Sequence, residues 1–116
     1  MKKTDTLKKN YEFKRVLTKG KYLSGKYIDC FYINNNLKEK NLIGIAISSK
    51  IAKAFKRNSI KRLIREVYKE IEENIKTGKS FVFLWKKSRD VSNATYVNIK
   101  KDIYQIMKEM NMFINE

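Results

Sequence analysis

The 116-residue chain contains no histidine, no proline and one cysteine, Cys30. Each absence excludes chemistry. Without histidine there is no Ser–His–Asp triad, no Cys–His dyad, and neither the usual general base nor the commonest metal ligand. One cysteine forms no intrachain disulfide and no CxxC zinc motif. No apolar run approaches the ~20 residues needed to span a membrane, and the N-terminus, MKKTDTLKKNYEF, lacks the apolar core of a signal peptide. A soluble, cytoplasmic protein is the expectation. Acidic residues are scarce: 12 Asp and Glu stand against 27 Lys and Arg, a net charge of +15. Hydrophobic residues still make up 42% and aromatics 12%, enough to fold, so high charge does not imply disorder. The length suits one domain, residues 1–116, with one modest core.

A protein with pI ≈ 9.9 attracts polyanions, nucleic acid first and an anionic membrane surface second. The four glycines are scattered and turn signals separate short segments. Asn10 is a candidate cap for a helix running to about Lys19, with Gly20 as its stop. Phe13, Val16 and Leu17 share one face of it, and Lys14, Arg15 and Lys19 are basic positions on the remainder. Residues 26–33, KYIDCFYI, read as a strand with Tyr27, Asp29, Phe31 and Ile33 on one face and Ile28, Cys30 and Tyr32 on the other. In LIGIAIS, residues 42–48, Ile43, Ile45 and Ile47 face a core, while Gly44, Ala46 and Ser48 form either a solvated sheet face or a shallow groove for something extended. FVFLW, residues 81–85, has the unbroken apolar pattern of a strand covered on both faces. A last helix is expected from about Thr95 to Met112, with the stripe Tyr96, Ile99, Ile103, Ile106 and Met110. The order of elements predicts an α+β sandwich, helices packed on a small sheet.

The densest charge lies in KIAKAFKRNSIKRLIRE, residues 50–66, where seven residues are basic and one is acidic. A helix from about Arg57 to Lys76 would place Ile60, Ile64, Val67, Ile71 and Ile75 in one narrow stripe. Asn58, Lys61, Arg62, Arg65 and Lys69 then share an arc of about 100° on the other side. Arg57, Lys61, Arg65 and Lys69 are like-charged at successive i+4 steps, each pair unfavourable by about 0.2–0.5 kcal/mol. Cations near a helix N-terminus also meet the wrong end of its dipole. A polyanion resting on this face would relieve both costs, whereas an ordinary solvated helix interleaves signs. Aromatics on an open strand face, Tyr27 and Phe31, favour single-stranded nucleic acid, whose bases stack on rings.

KRNSIKRLIRE, residues 56–66, resembles the signature helix of the bacterial ribonuclease P protein component, through Arg57, Asn58, Lys61, Arg62 and Arg65. LKKNYEFKRVLTKG, residues 7–20, resembles that family's opening helix, and IGIAISSKIAKA, residues 43–54, the segment leading into the signature. Ser59, the pair Ala52–Lys53, and Leu17 depart from the pattern, standing where an arginine, a Gly-Asn pair and an aromatic are usual. Lys53 or Lys56 would compensate for the missing arginine.

The resemblance implies a four-stranded mixed sheet with three helices, like the second domain of a small-subunit ribosomal protein, with a left-handed β-α-β crossover against the general preference. It implies a protein that is monomeric by itself. This protein binds a catalytic RNA and assists removal of the 5′ leader from precursor tRNA, while the RNA and substrate hold the Mg2+ ions. By matching positions, Lys53, Lys56, Arg57, Asn58, Lys61, Arg62, Arg65 and Lys69 would meet the catalytic RNA. Phe13, Leu17, Phe31 and Lys50 would line the leader cleft. No residue of the chain is expected to be catalytic or to ligate metal, and no small-molecule substrate or membrane partner is implied. Asp29, on the cleft face, is a poor neighbour for phosphate. The competing reading is a non-catalytic RNA-binding module, ribosomal or chaperone-like; a nuclease in its own right would need residues not identified in the chain.

Overall fold

The central strand of the computed structural model, which describes residues 1–114, is the run FVFLW. It lies within β5 (Lys79–Trp85) of a sheet ordered β1-β4-β5-β3-β2. The other strands are β1 (Thr4–Thr6), β2 (Lys21–Ser24), β3 (Ile28–Asn34) and β4 (Asn41–Ala46). β1 pairs with β4, and β4 with β5, in parallel; β3 pairs antiparallel with both β5 and β2. Three helices complete the fold: α1 (Asn10–Lys19), α2 (Ala54–Ile71) and α3 (Tyr96–Glu109). Single 3-10 turns follow α2 at Glu72–Asn74 and precede α3 at Val91–Asn93. The α2 crossover therefore joins two adjacent parallel strands, β4 and β5. Among the described residues no helix is long and apolar enough to cross a membrane.

Both faces of β5 are covered, as its pattern demands. Phe81, Phe83 and Trp85 join Ile28, Cys30, Ile43 and Ile45 beneath α2 and α3. Val82 packs on the other face with Leu7 and Val16, bordered by Phe13, Phe31, Ile33, Leu42 and Leu84. The face assignments in β3 and β4 hold, except for Tyr27. That residue precedes β3 and stacks on Trp85 at 5.7 Å between ring centroids, in the α2/α3 cluster.

The fifth strand goes beyond the four expected. Thr4–Thr6 is too short to carry a strand pattern, and distant partners hold it in place. The Thr4 and Tyr68 hydroxyls lie 2.7 Å apart, and the Glu72 carboxylate accepts the Lys2 and Lys3 N–H groups. The same carboxylate explains why α2 stops at Ile71 and not near Lys76: Glu72 turns inward, 5% exposed, to meet the N-terminus. Tyr68 thereby joins Ile60, Ile64, Val67 and Ile71 on the buried stripe, while Ile75 is buried beyond the helix end. In α3, Met107 joins the stripe as a buried residue, Met110 packs partly buried against the same core as expected, and Tyr96 turns outward to bond Glu70.

Helix α1 is capped differently from the expectation. Lys9, not Asn10, is the capping residue, and the Glu12 carboxylate accepts the Lys9 N–H at 3.2 Å. Gly20 does end α1, but with extended backbone and not the left-handed turn that usually recruits glycine. Its requirement is space: a Cβ there would lie 2.4 Å from the Val16 carbonyl oxygen and 2.8 Å from that of Tyr32. Gly44 serves likewise, since a Cβ would lie 2.4 Å from Cζ of Phe13. That gap is how α1 comes to rest on the sheet.

Asp102 ties α3 to the β2–β3 turn. Its carboxylate accepts the backbone N–H groups of Lys26, Tyr27 and Ile28 at 3.1, 2.6 and 2.9 Å. Removing one partner of a buried bond strands the other. Asp102→Ala is expected to destabilise the fold by about 2–3 kcal/mol, measured by urea unfolding; a change within ~0.5 kcal/mol would exclude the clamp. Gly44→Ala is expected to cost about 1–3 kcal/mol by overpacking and to be partly rescued by Phe13→Leu. Additive losses in that double-mutant cycle would show that the two sites are not coupled.

Candidate nucleic-acid interface

Helix α2 is held by its buried stripe, and the opposite side is cationic. Asn58, Lys61, Arg62, Arg65 and Lys69, with Glu66 at the margin, line one shallow groove along the helix. Among the described residues none of these cations takes part in an ion pair; the four pairs present are Lys3–Glu73, Lys40–Asp5, Lys86–Asp29 and Lys100–Glu70. The arc read from helical spacing is thus a continuous surface with its like charges uncompensated.

The other three cations of the signature lie off this arc. Arg57 donates from Nη1 to the Ala52 carbonyl at 2.7 Å, bracing the loop that precedes α2. Lys53 is the exposed capping residue and offers no side-chain cap. Lys56 projects from the first turn, away from the groove by helical angle. Ser59 is exposed at the groove's margin, so the position of the missing arginine is open to solvent. Beside it stands Phe55, 74% exposed, an apolar surface residue not singled out from the sequence.

The second candidate surface is the α1 side of the sheet. Here the groove above Gly44 is filled by the ring of Phe13. The concavity that stays open lies farther along, over Ala46, Ile47, Ser48 and Ser49, walled by Leu84, Lys86 and Lys87. Phe31 is half-buried and Leu17 is 37% exposed, both on the α1 side, and Lys50 is exposed in the turn after β4. Tyr27 does not join them. Tyr22, 50% exposed on edge strand β2, packs on Phe31 at 4.9 Å instead. Tyr22 and Lys86 are the residues missed here: a short polar edge strand and a basic loop gave no period to place them.

Asp29 now has an account. Its Oδ1 accepts the Tyr22 hydroxyl at 2.9 Å and lies 3.2 Å from Lys86 Nζ. The carboxylate is therefore neutralised within the cleft and positions an aromatic and a cation. The chain offers no reactive thiol, since burial, with Asp29 nearby, pushes the Cys30 thiol far above its ordinary range. Among the described residues no three His, Cys, Asp or Glu side chains converge as a metal site.

Known proteins share this fold and much of this sequence. The ribonuclease P family model matches residues 1–111. The ribonuclease P protein component of Clostridioides difficile is 36% identical over 113 residues, covering 97% of this chain and 96% of the relative. That of Bacillus cereus strain Q1 is 34% identical over 112 residues, covering 97% and 96%. The RNase P protein of Staphylococcus aureus superposes with a TM-score of 0.81 at 27% identity, over 93% of this chain and 96% of that one. The Thermotoga maritima protein shares the fold at a TM-score of 0.78 and 21% identity, over 90% and 96%. The chain belongs to the ribonuclease P protein component family, the protein subunit of the endoribonuclease that matures the 5′ ends of tRNA.

Proposed function

We propose that the α2 groove seats on the catalytic RNA of ribonuclease P, with Asn58, Lys61, Arg62, Arg65 and Lys69 meeting phosphates. Lys53, Lys56 and Arg57 flank that contact at the start of the helix. The observation that carries this reading is the run of unpaired cations on one exposed arc of a helix anchored by its other side. Phosphate contacts of this kind supply affinity and position, not sequence choice.

The 5′ leader of precursor tRNA runs, in this reading, along the α1 side of the sheet. Phe13, Leu17 and Phe31 form its apolar floor, Tyr22 offers a ring for stacking, and Lys50, Lys86 and Lys87 meet the backbone. Because Phe13 is half-committed to packing over Gly44, the strand lies on the ring's open side and on toward Ser48. In this reading the RNA and substrate hold the Mg2+ ions and with them the hydrolytic chemistry; among the described residues no acidic side chains converge as a metal site. In this reading the protein is monomeric by itself and acts in a cytoplasmic holoenzyme, where its contribution is binding and orientation.

Added to its cognate RNA, the protein is expected to restore leader removal at Mg2+ concentrations where the RNA alone is nearly inactive; a folded sample that gives no enhancement in that assay would overturn the assignment. Arg62→Ala with Arg65→Ala is expected to weaken binding to the catalytic RNA and lower the log–log salt slope by about 1.4–1.8. An unchanged slope would remove these two residues from the contact.

A further inference from the structure

A second cationic surface lies at the other end of the sheet. Lys19, Lys21 and Lys79 surround a pocket completed by Tyr32, Ile33 and Asn34. The register sets Asn34 opposite Lys79 and Lys21 opposite Tyr32, so the pocket sits where β3 ends and β5 begins. The Asp29 cleft, by contrast, sits where Asp29 faces Leu84. Five residues of strand separate the two levels, about 17 Å.

Among the described residues no carboxylate lines this pocket, and none of its three lysines joins an ion pair. Lys79 Nζ donates to Asn34 Oδ1 at 2.5 Å and lies 5.7 Å from the Tyr32 ring centroid. Burial, with the charges of Lys21 and Lys76, holds the Lys79 ammonium below its ordinary pKa. Such crowding is relieved by an anion. The shape favours a chain of anions over a single one. Lys21 and Lys79 flank β3 on separate strands, so they stand about 10 Å apart across the sheet. Lys19 continues the row onto α1, one helical turn from Arg15. Arg15 in turn borders a neighbouring hollow with Tyr11, Glu12, Asn34, Asn35 and Asn36, where the Glu12 carboxylate is engaged by the Lys9 N–H. A row of four cations edged by amides matches successive phosphates of a polynucleotide strand.

We propose that the row Arg15, Lys19, Lys21 and Lys79 is a further RNA-backbone contact, gripping a segment distinct from those on α2 and in the leader cleft. This rests on the RNA-binding reading above and extends it: the subunit would bridge two RNA segments across the sheet.

The test uses the reconstituted holoenzyme with catalytic RNA and precursor tRNA transcripts. Iron–EDTA is tethered in turn to Ser59→Cys, beside the α2 groove, and to Lys21→Cys; the buried Cys30 does not compete for the reagent. Each protein is expected to cut RNA, at different nucleotides. Cutting from position 59 alone, or at the same nucleotides from both, overturns this inference and leaves the α2 reading standing. Cutting from neither position overturns both. Lys21→Gln with Lys79→Gln is expected to lower the salt slope of holoenzyme assembly or substrate binding by about 1.4–1.8. Unchanged slopes for both, with reduced binding to phosphatidylglycerol vesicles, would reassign the row to a membrane surface and overturn the proposal.

Discussion

The fold and its function both depend on one packing contact: the stripe Ile60, Ile64, Val67, Tyr68 and Ile71 of α2 within the core that also holds Ile43, Ile45, Phe81 and Phe83. Each such side chain contributes about 1.5–3 kcal/mol when fully buried. The like-charged pairs on the opposite arc cost about 0.2–0.5 kcal/mol each. Burial wins by a wide margin, so the helix forms with its cations unpaired. The arc is kept free because the core holds the helix, and a rigid scaffold fixes where each cation points. The same logic runs through Asp102, whose carboxylate is given wholly to backbone N–H groups.

Much of this was legible in the sequence, where the signal was periodic. The stripe and arc of α2, the two faces of β3, and the double burial of β5 all follow from spacing. What escaped depends on partners far along the chain. β1 exists because Tyr68 and Glu72 hold residues 2–4. Tyr27 left the open face because Trp85 offers it a ring on the other side. Asn10 lost the cap to Lys9 because Glu12 reaches back to that residue's N–H. The groove over Gly44 was read correctly as space, but the space is taken by Phe13 from a helix whose docking no local pattern reveals.

The candidate site divides the same way. Lys61, Arg62, Arg65 and Lys69 were found because a single helix carries them. The Asp29–Tyr22–Lys86 cluster was not, since it draws on two strands and a loop. It also resolves the apparent conflict of a carboxylate in the proposed leader cleft: Asp29 aligns donors, and a strand passing there would meet Tyr22 and Lys86. The protein is thus a cationic frame, with one proposed RNA surface on a helix and others proposed along the sheet. Of its few acids, Asp29, Glu72 and Asp102 hold parts of the fold together.

The central claim is that α2 retains unpaired charge for RNA at the expense of its own stability. Lys61→Glu tests it most directly, because it replaces two like-charged i, i+4 pairs, with Arg57 and Arg65, by opposite ones. Thermal unfolding of the free protein and affinity for the catalytic RNA are measured on the same variant. The account predicts a more stable protein, by about 0.5–1.5 kcal/mol, that binds the RNA less tightly. A variant that is no more stable than the parent, or that binds the RNA equally well, would contradict it.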